Sequence, residues 1–492
     1  MGDLETQISL FAHTARQLEP NEGKRKETQD PIIEYTNQFL NNVNDISVFN
    51  SINYEIENHF PSEFNENSEP IESILKHLKE YVHYPGINAA SGGHLGYIPG
   101  GGIFAASLGD YLADITNDYA GVDFASPGGV ALENSLVGWM ASIVGYPTTC
   151  GGNLASGGSI ANLIAVTTAR ESYEIKTIDI PKTVIYLSKQ AHHCIEKAIR
   201  IAGLKDCILR YIDLNEKCQI ISEELNNQIE KDKADGLFPF MVVASAGTTD
   251  VGAIDPLSEI GNICNKHNLW YHIDAAYGGF FLLTDTGRKK LNGIALSDSI
   301  VLDPHKGLFL PYGLGVALIK NKKKMHEAHY YNASYLQDFR HSEDVHSPAE
   351  LSPELSKPFR GLRLWLPLKI HGTTPFKACL EEKLLLTKYF VQEIKKVDGF
   401  EIYIEPELSV ATYRYVPKTG DANSFNEALV KATHEDGRVF ISSTSIGGVF
   451  ILRLAILSFR THKETIDLAI QVLKDGVKKV LLANHHLSVD QC

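Results

Sequence analysis

The sequence predicts an α/β protein: a large domain with a mostly parallel sheet, a small C-terminal α+β domain, and an N-terminal helical arm. Three observations predict it. Between residues 157 and 319, short runs rich in Val, Ile and Leu alternate with segments of helical period, as in strand–helix units whose sheet is covered on both faces. From about Pro375 that alternation stops, and strand runs lie beside long helices. The chain has 492 residues, too many for one small domain and enough for a large core with a smaller one attached. The expected boundaries are 1–85 for the arm, 86–375 for the large domain and 376–492 for the small domain.

Residues 19–70 are rich in Asn, Glu and Asp and read as a peripheral arm with short helices. Segment 71–81 is helical, with Ile74, Leu75, Leu78 and Tyr81 on one face. Gly157, Gly158 and Ser159 open a helix over 160–170. Strands follow at 184–187, 207–212, 240–245, 269–273, 299–302 and 315–319, with helices at 192–202 and 255–267. Beyond Pro375 come a helix at 376–396, strands at 401–404, 409–415, 439–442 and 450–457, and a last helix at 462–482.

Composition bounds the function. Hydrophobic residues are 43% and charged residues 22%, and the net charge of −14 comes without a basic block. Nucleic acid and anionic membrane are therefore not expected partners. No apolar run reaches the ~18 residues of a membrane span. The seven cysteines form no CxxC pair, which suits reduced thiols in a cytoplasmic compartment. Residues 1–20 carry Asp3, Glu5 and Glu19 and do not resemble a secretory signal.

The most informative segment is Asp303-Pro304-His305-Lys306-Gly307, after a buried strand. A lysine there faces the carboxyl edge of the sheet, where α/β folds place ligands. Burial would lower its pKa and leave it nucleophilic enough to form an imine. A lysine taken at random lies on the surface. Here His305, the apolar strand before and Gly313-Leu314-Gly315 after weigh against that.

Asp274 ends the strand in His272-Ile273-Asp274-Ala275-Ala276-Tyr277. A carboxylate so placed pairs with a protonated ring nitrogen, or equally caps a helix. Lys306 downstream favours the ring. The loop Ala155-Ser156-Gly157-Gly158-Ser159 before a helix suits a phosphate, although a tight turn or a nucleotide site also fits. His192, in Gln190-Ala191-His192-His193, can stack on a ring or be structural. Ser245-Ala246-Gly247-Thr248-Thr249 is a further strand-end loop, with hydroxyls for a cofactor or for the turn itself.

These stretches, in this order, resemble the group II pyridoxal-5′-phosphate (PLP) decarboxylases of fold type I, the family of aromatic L-amino acid, histidine and glutamate decarboxylases. The likeness spans roughly residues 84–461. It implies a PLP-dependent transferase-like large domain and a homodimer with a shared active site. It implies that Lys306 holds PLP as a Schiff base, that Asp274 partners the pyridine nitrogen, and that His192 stacks on the ring. Gly157, Gly158 and Ser159 match the phosphate loop. Thr249 matches the threonine near the ring hydroxyl, Ala276 the residue below the ring, and His305 the histidine at the phosphate end. Asp303 stands where many relatives have Asn, and Cys194 where they often have Ser. A carboxylate near a phosphate is repelled unless it is hydrogen-bonded or turned away.

Tyr335, in the polar segment 321–358, matches the tyrosine of the family's mobile loop. It would deliver the proton that replaces CO2; aldehyde-forming relatives have Phe there. The expected reaction is decarboxylation of an L-amino acid to an amine. The resemblance implies that Tyr97-Ile98-Pro99-Gly100 and residues 121–127 lie where the side-chain pocket forms, and the small Gly100, Gly101, Gly102 and Gly121 there are compatible with an aromatic substrate. The rivals are another fold-type-I lyase, an aminotransferase that would need an arginine such as Arg453, and a PLP-binding homologue without turnover.

Overall fold

The structure is a computed structural model that describes residues 2–51, 56–60, 62, 64, 66–331 and 347–489. The chain divides into two units, Met1–Ser91 and Gly92–Cys492. In the first, helices span Gly2–Ala15, Glu22–Asn41 and Ile71–Leu78. The second of these is longer than the short helices expected. It starts at Asn21, whose side chain accepts the Lys24 N–H at 3.0 Å. Strand β1 (Phe49–Asn50) pairs antiparallel with β2 (Gly86–Ile87).

The second unit holds a seven-stranded sheet. Its strands are β3 (Gly151–Ala155), β4 (Thr183–Leu187), β5 (Ile208–Tyr211), β6 (Phe238–Ser245), β7 (Trp270–Asp274), β8 (Ser299–Leu302) and β9 (Gly315–Ile319). Their order is β3-β9-β8-β7-β6-β4-β5. Strands β4 to β8 pair in parallel, while β9 runs antiparallel to both β8 and β3. Side chains alternate between two cores: Val184 and Tyr186 enter one, Ile185 and Leu187 the other. Both faces are therefore buried, as a parallel sheet requires.

The expected strands of this sheet are present, and 299–302 and 315–319 agree to the residue. Strand β3 was not expected. Its sequence, Gly-Gly-Asn-Leu-Ala, has no β-branched residue, and it forms only because β9 pairs with it at the sheet edge.

A second sheet contains β10 (Phe400–Ile404), β11 (Val410–Tyr415), β12 (Ser442–Ile446) and β13 (Val449–Ala455), all antiparallel, in the order β10-β11-β13-β12. It packs with helices Thr374–Ile394, Ala422–Asp436 and Lys463–Val489 around a third core that includes Phe390, Tyr413, Leu452 and Leu473. The strand expected at 439–442 begins only at Ser442. Phe440 instead forms an isolated parallel bridge to His94. Helix Ala422–Asp436 was not expected. Asp421 caps it by accepting the Ser424 and Asn423 N–H groups, and Gly437 ends it at φ +76°.

One buried ion pair ties helix Pro127–Val144 to the chain entering helix Gly361–His371. Lys357 Nζ lies 2.7 Å from Glu133 Oε2, and Glu133 Oε1 accepts the Gly361 N–H at 3.1 Å. Removing one partner strands a buried charge. Lys357→Met is expected to destabilise the fold by about 3–5 kcal/mol, read as a lower denaturation midpoint, and adding Glu133→Leu is expected to recover most of the loss.

Candidate active site

Strand register assembles the site. Ser245, Asp274 and Val301 stand level across β6, β7 and β8 at the carboxyl edge of the sheet. The loops that follow open onto a cavity of about 600 Å³. Gly157, Gly158, Ser159, His192, Thr249, Asp274, Ala276, His305 and Lys306 all line it. Every site residue expected from the sequence therefore meets in one place, except Tyr335, which lies outside the described residues.

At one end, helix Gly158–Ser172 starts without a side-chain cap. Its first i→i−4 bond is Ala161 N–H to Gly157 O at 3.1 Å. The N–H groups of Gly158, Ser159 and Ile160 precede that bond, and these residues line the cavity. Such a terminus binds an anion. Backbone packing there is close: a side chain at Gly315 would put its first carbon 2.4 Å from the carbonyl carbon of Gly157.

Asp274 is oriented by a chain of buried groups. Ala276 N–H donates to Asp274 Oδ1 at 3.1 Å, and Asn162 Nδ2 donates to Oδ2 at 3.4 Å. Asn162 Oδ1 must then accept from His272 Nε2, 2.7 Å away. That fixes the His272 tautomer, so Nδ1 accepts the Ser299 O–H at 2.8 Å, and Ser299 Oγ accepts the Trp270 indole N–H at 2.8 Å. Burial pushes the His272 pKa down to about 4, although the charge of Asp274 opposes this.

His192 Nδ1 accepts the Cys194 N–H at 3.3 Å. Burial lowers its pKa; Asp274 raises it in part, and His193 and Lys306 lower it further. His192 is thus held neutral and flat-sided beside Asp274.

Lys306 departs from expectation. Its side chain keeps 26% exposure, and Nζ lies 2.9 Å from Asp303 Oδ2. Burial alone would lower its pKa, as expected, but the charge and hydrogen bond of Asp303, with the charge of Asp274 and a contribution from Cys194, raise it. Burial lowers the His305 pKa, and its Nδ1–H donates to Leu314 O at 2.6 Å.

Arg453 is buried, but its guanidinium is occupied. It donates to Asp250 O at 2.6 Å, to Ser442 Oγ at 2.9 Å and to Thr249 O. It fastens the loop after β6 to the antiparallel sheet and does not line the cavity.

Sequence reasoning missed Asn162, which is fully buried. Its signal was an amide on the apolar side of a helix, between Ala161 and Ile164. It also left Asp303 unassigned.

The cavity fits PLP. The helix terminus matches a phosphate, Lys306 an aldehyde, and Asp274 a protonated pyridine nitrogen. The oriented Asp274 and the uncapped terminus are the observations that make the fit.

His272 supplies a pH test. Its folded pKa lies below the ordinary 6.5, so the unfolded chain takes up a proton first as pH falls. Stability is therefore lost between pH 6.5 and about 4, by up to about 3 kcal/mol from this group. His272→Gln is expected to flatten that part of the stability curve; an unchanged curve from pH-dependent unfolding would contradict it.

Residues 54–416 match the profile described as the pyridoxal-dependent decarboxylase conserved domain. An aromatic-L-amino-acid decarboxylase of Bacillus atrophaeus is 32% identical over 75% of this chain and 78% of the relative. An L-2,4-diaminobutyrate decarboxylase of Acinetobacter baumannii is 31% identical over 72% of this chain and 73% of the relative. The crystal structure of Catharanthus roseus tryptophan decarboxylase superposes with a TM-score of 0.87 over 94% of this chain and 99% of that one, at 23% identity, which shows the shared fold. The chain belongs to the pyridoxal-dependent decarboxylase family, and its cofactor is PLP.

Proposed function

We propose that this PLP-dependent amino-acid decarboxylase acts on aromatic L-amino acids and releases CO2 and the corresponding amine. The observation that carries the reading is the meeting of Lys306, Asp274 and the uncapped helix terminus in one cavity. Tyr97, Ile98 and Tyr312 also line it, and its described lining contains no arginine and no lysine besides Lys306. That lining favours an aromatic side chain over an acidic one, although relatives of near-equal identity include both aromatic-L-amino-acid and acidic amino acid decarboxylases.

The residues take these roles. The N–H groups of Gly158 and Ser159, beside Gly157, hold the phosphate, with His305 at that end. Lys306 is the attachment residue. Asp274 holds a proton on the ring nitrogen. His192 and Ala276 would pack against the bound cofactor, and Thr249 would serve its ring hydroxyl. When bound, PLP supplies the electron sink for the bond broken at Cα. Tyr335 delivers the proton that replaces CO2. The occupied guanidinium of Arg453 argues against an aminotransferase.

The working form is a homodimer. Phe104, Leu108, Tyr111, Leu112 and Ile115 form one exposed apolar stripe on helix Phe104–Thr116, as a second copy would cover. The proposed compartment is the cytoplasm: the described cysteines are free thiols. Among the described residues, no helix is long and apolar enough to cross a membrane.

An assay of CO2 and product mass over aromatic, acidic and diamino substrates tests the activity. Amine with stoichiometric CO2 from an aromatic substrate is expected, and keto acid without CO2 would refute the reading. Lys306→Ala is expected to abolish turnover. Tyr335→Phe is expected to lower amine formation by about 100-fold. Leu112→Glu with Ile115→Glu is expected to yield monomer in sedimentation.

A further inference from the structure

Asp303 is a buried acid beneath the glycine loop, at the end of the cavity that suits an anion. A lone carboxylate there would oppose a phosphate. We propose that Asp303 is a positioning residue for Lys306: its carboxylate holds the Lys306 ammonium charged and in place, and cofactor capture requires this contact to open. The inference rests on Lys306 being the attachment residue.

Geometry carries it. Asp303 O accepts the Lys306 N–H at 2.9 Å and the Gly307 N–H at 3.1 Å, which closes a helical turn. That turn puts the two side chains on one side, with Oδ2 and Nζ 2.9 Å apart. Asp303 borders the cavity, and backbone approaches its carboxylate closely on two sides. A side chain at Gly158 would place its first carbon 2.9 Å from Oδ2, and one at Gly315 would place it 2.7 Å from Oδ1. Backbone therefore presses on the carboxylate from two elements. Oδ1 is buried without a hydrogen-bond partner.

The other titratable groups facing this pair do not replace Lys306; Tyr312, whose phenol burial pushes up and Lys306 pulls partly back, stays neutral. His305 Nε2 lies 3.8 Å from Asp303 Oδ2. Its proton sits on Nδ1, bonded to Leu314 O, so the neutral ring turns only a lone pair toward the carboxylate. Arg363 acts on His305 and lowers its pKa further. His192, from the loop after β4, is held neutral by burial. Burial pushes the Cys194 thiol up to about 12, so it carries no charge. Asp274 adds to the field that keeps Lys306 protonated.

The consequence is chemical. An ammonium nitrogen has no lone pair to share with a carbonyl carbon, so Lys306 reacts only in the fraction that has lost its proton. Asn at 303 would keep the shape and remove the charge, leaving Lys306 more reactive.

The test reads Lys306 directly. Full-length protein freed of cofactor is methylated with formaldehyde and cyanoborohydride over a pH series, and each lysine is followed by peptide mass. At pH 8, Lys306 of Asp303→Asn is expected to react roughly tenfold faster than in wild type, the effect of one pKa unit. Exposed Lys418 is expected to react equally in both proteins. Equal Lys306 rates would overturn the proposal. Should the variant not fold, the wild-type profile decides: Lys306 labelling still rising past pH 10.5, the ordinary lysine value, supports it, and a plateau below that pH overturns it. A separate arm adds PLP to wild type. Failure of PLP to protect Lys306 would defeat the attachment reading itself, whatever the variant shows.

Discussion

Strand direction is the constraint on which the site depends. Parallel pairing from β4 to β8 sends every strand out at the same edge. The loops that carry His192, Thr249, Ala276 and Lys306 therefore converge without any long excursion of the chain. Strand β9 runs the other way and returns β3 to the common direction. Ala155 consequently ends opposite Gly315, and the glycine loop emerges above the start of β9. A residue larger than glycine at 315 would strike Gly157 there. The need for glycine is a consequence of topology before it is one of chemistry.

This explains what the sequence showed and what it did not. Apolar runs such as Val184–Leu187 and Ser299–Leu302 declare themselves, because both faces are buried and every position is apolar or small. The residues just past such runs were then readable as site residues, and the nine that are described do share one cavity. Strand β3 was illegible because its conformation is imposed by β9 and not by its own residues. Asn162 was illegible for a related reason. Its value lies in joining His272 to Asp274, and the partners meet only in three dimensions. For Lys306, burial was weighed without its partner Asp303, which the sequence does not place beside its amine. Desolvation and ion pairing have opposite signs for a lysine, and only distance settles which wins.

Buried polarity in this protein is handled by connection. Trp270, Ser299, His272, Asn162 and Asp274 form a line in which each donor meets an acceptor. Breaking one link would leave both neighbours unsatisfied in a core that excludes water. The line begins deep in the sheet, at the tryptophan that opens β7, and ends at the carboxylate that closes the same strand. Rigidity of the sheet is thereby passed to the orientation of one functional group.

The far side of the cavity is built on a different principle. Tyr312 lies in the connection from β8 to β9, whereas Tyr97 comes from the segment that precedes helix Phe104–Thr116. Tyr97 sits at φ +53°, a strained value for a residue with a side chain. Its N–H donates to Ser442 Oγ at 3.2 Å, and Ser442 in turn accepts from Arg453. The same guanidinium holds the loop after β6 through Thr249 O and Asp250 O. One buried cation thus sets the distance between the wall that carries Tyr97 and the loop that carries Thr249. The parallel sheet edge carries Asp274 and leads into Lys306, and the antiparallel sheet, through Arg453, ties the loop after β6 to the segment that carries Tyr97.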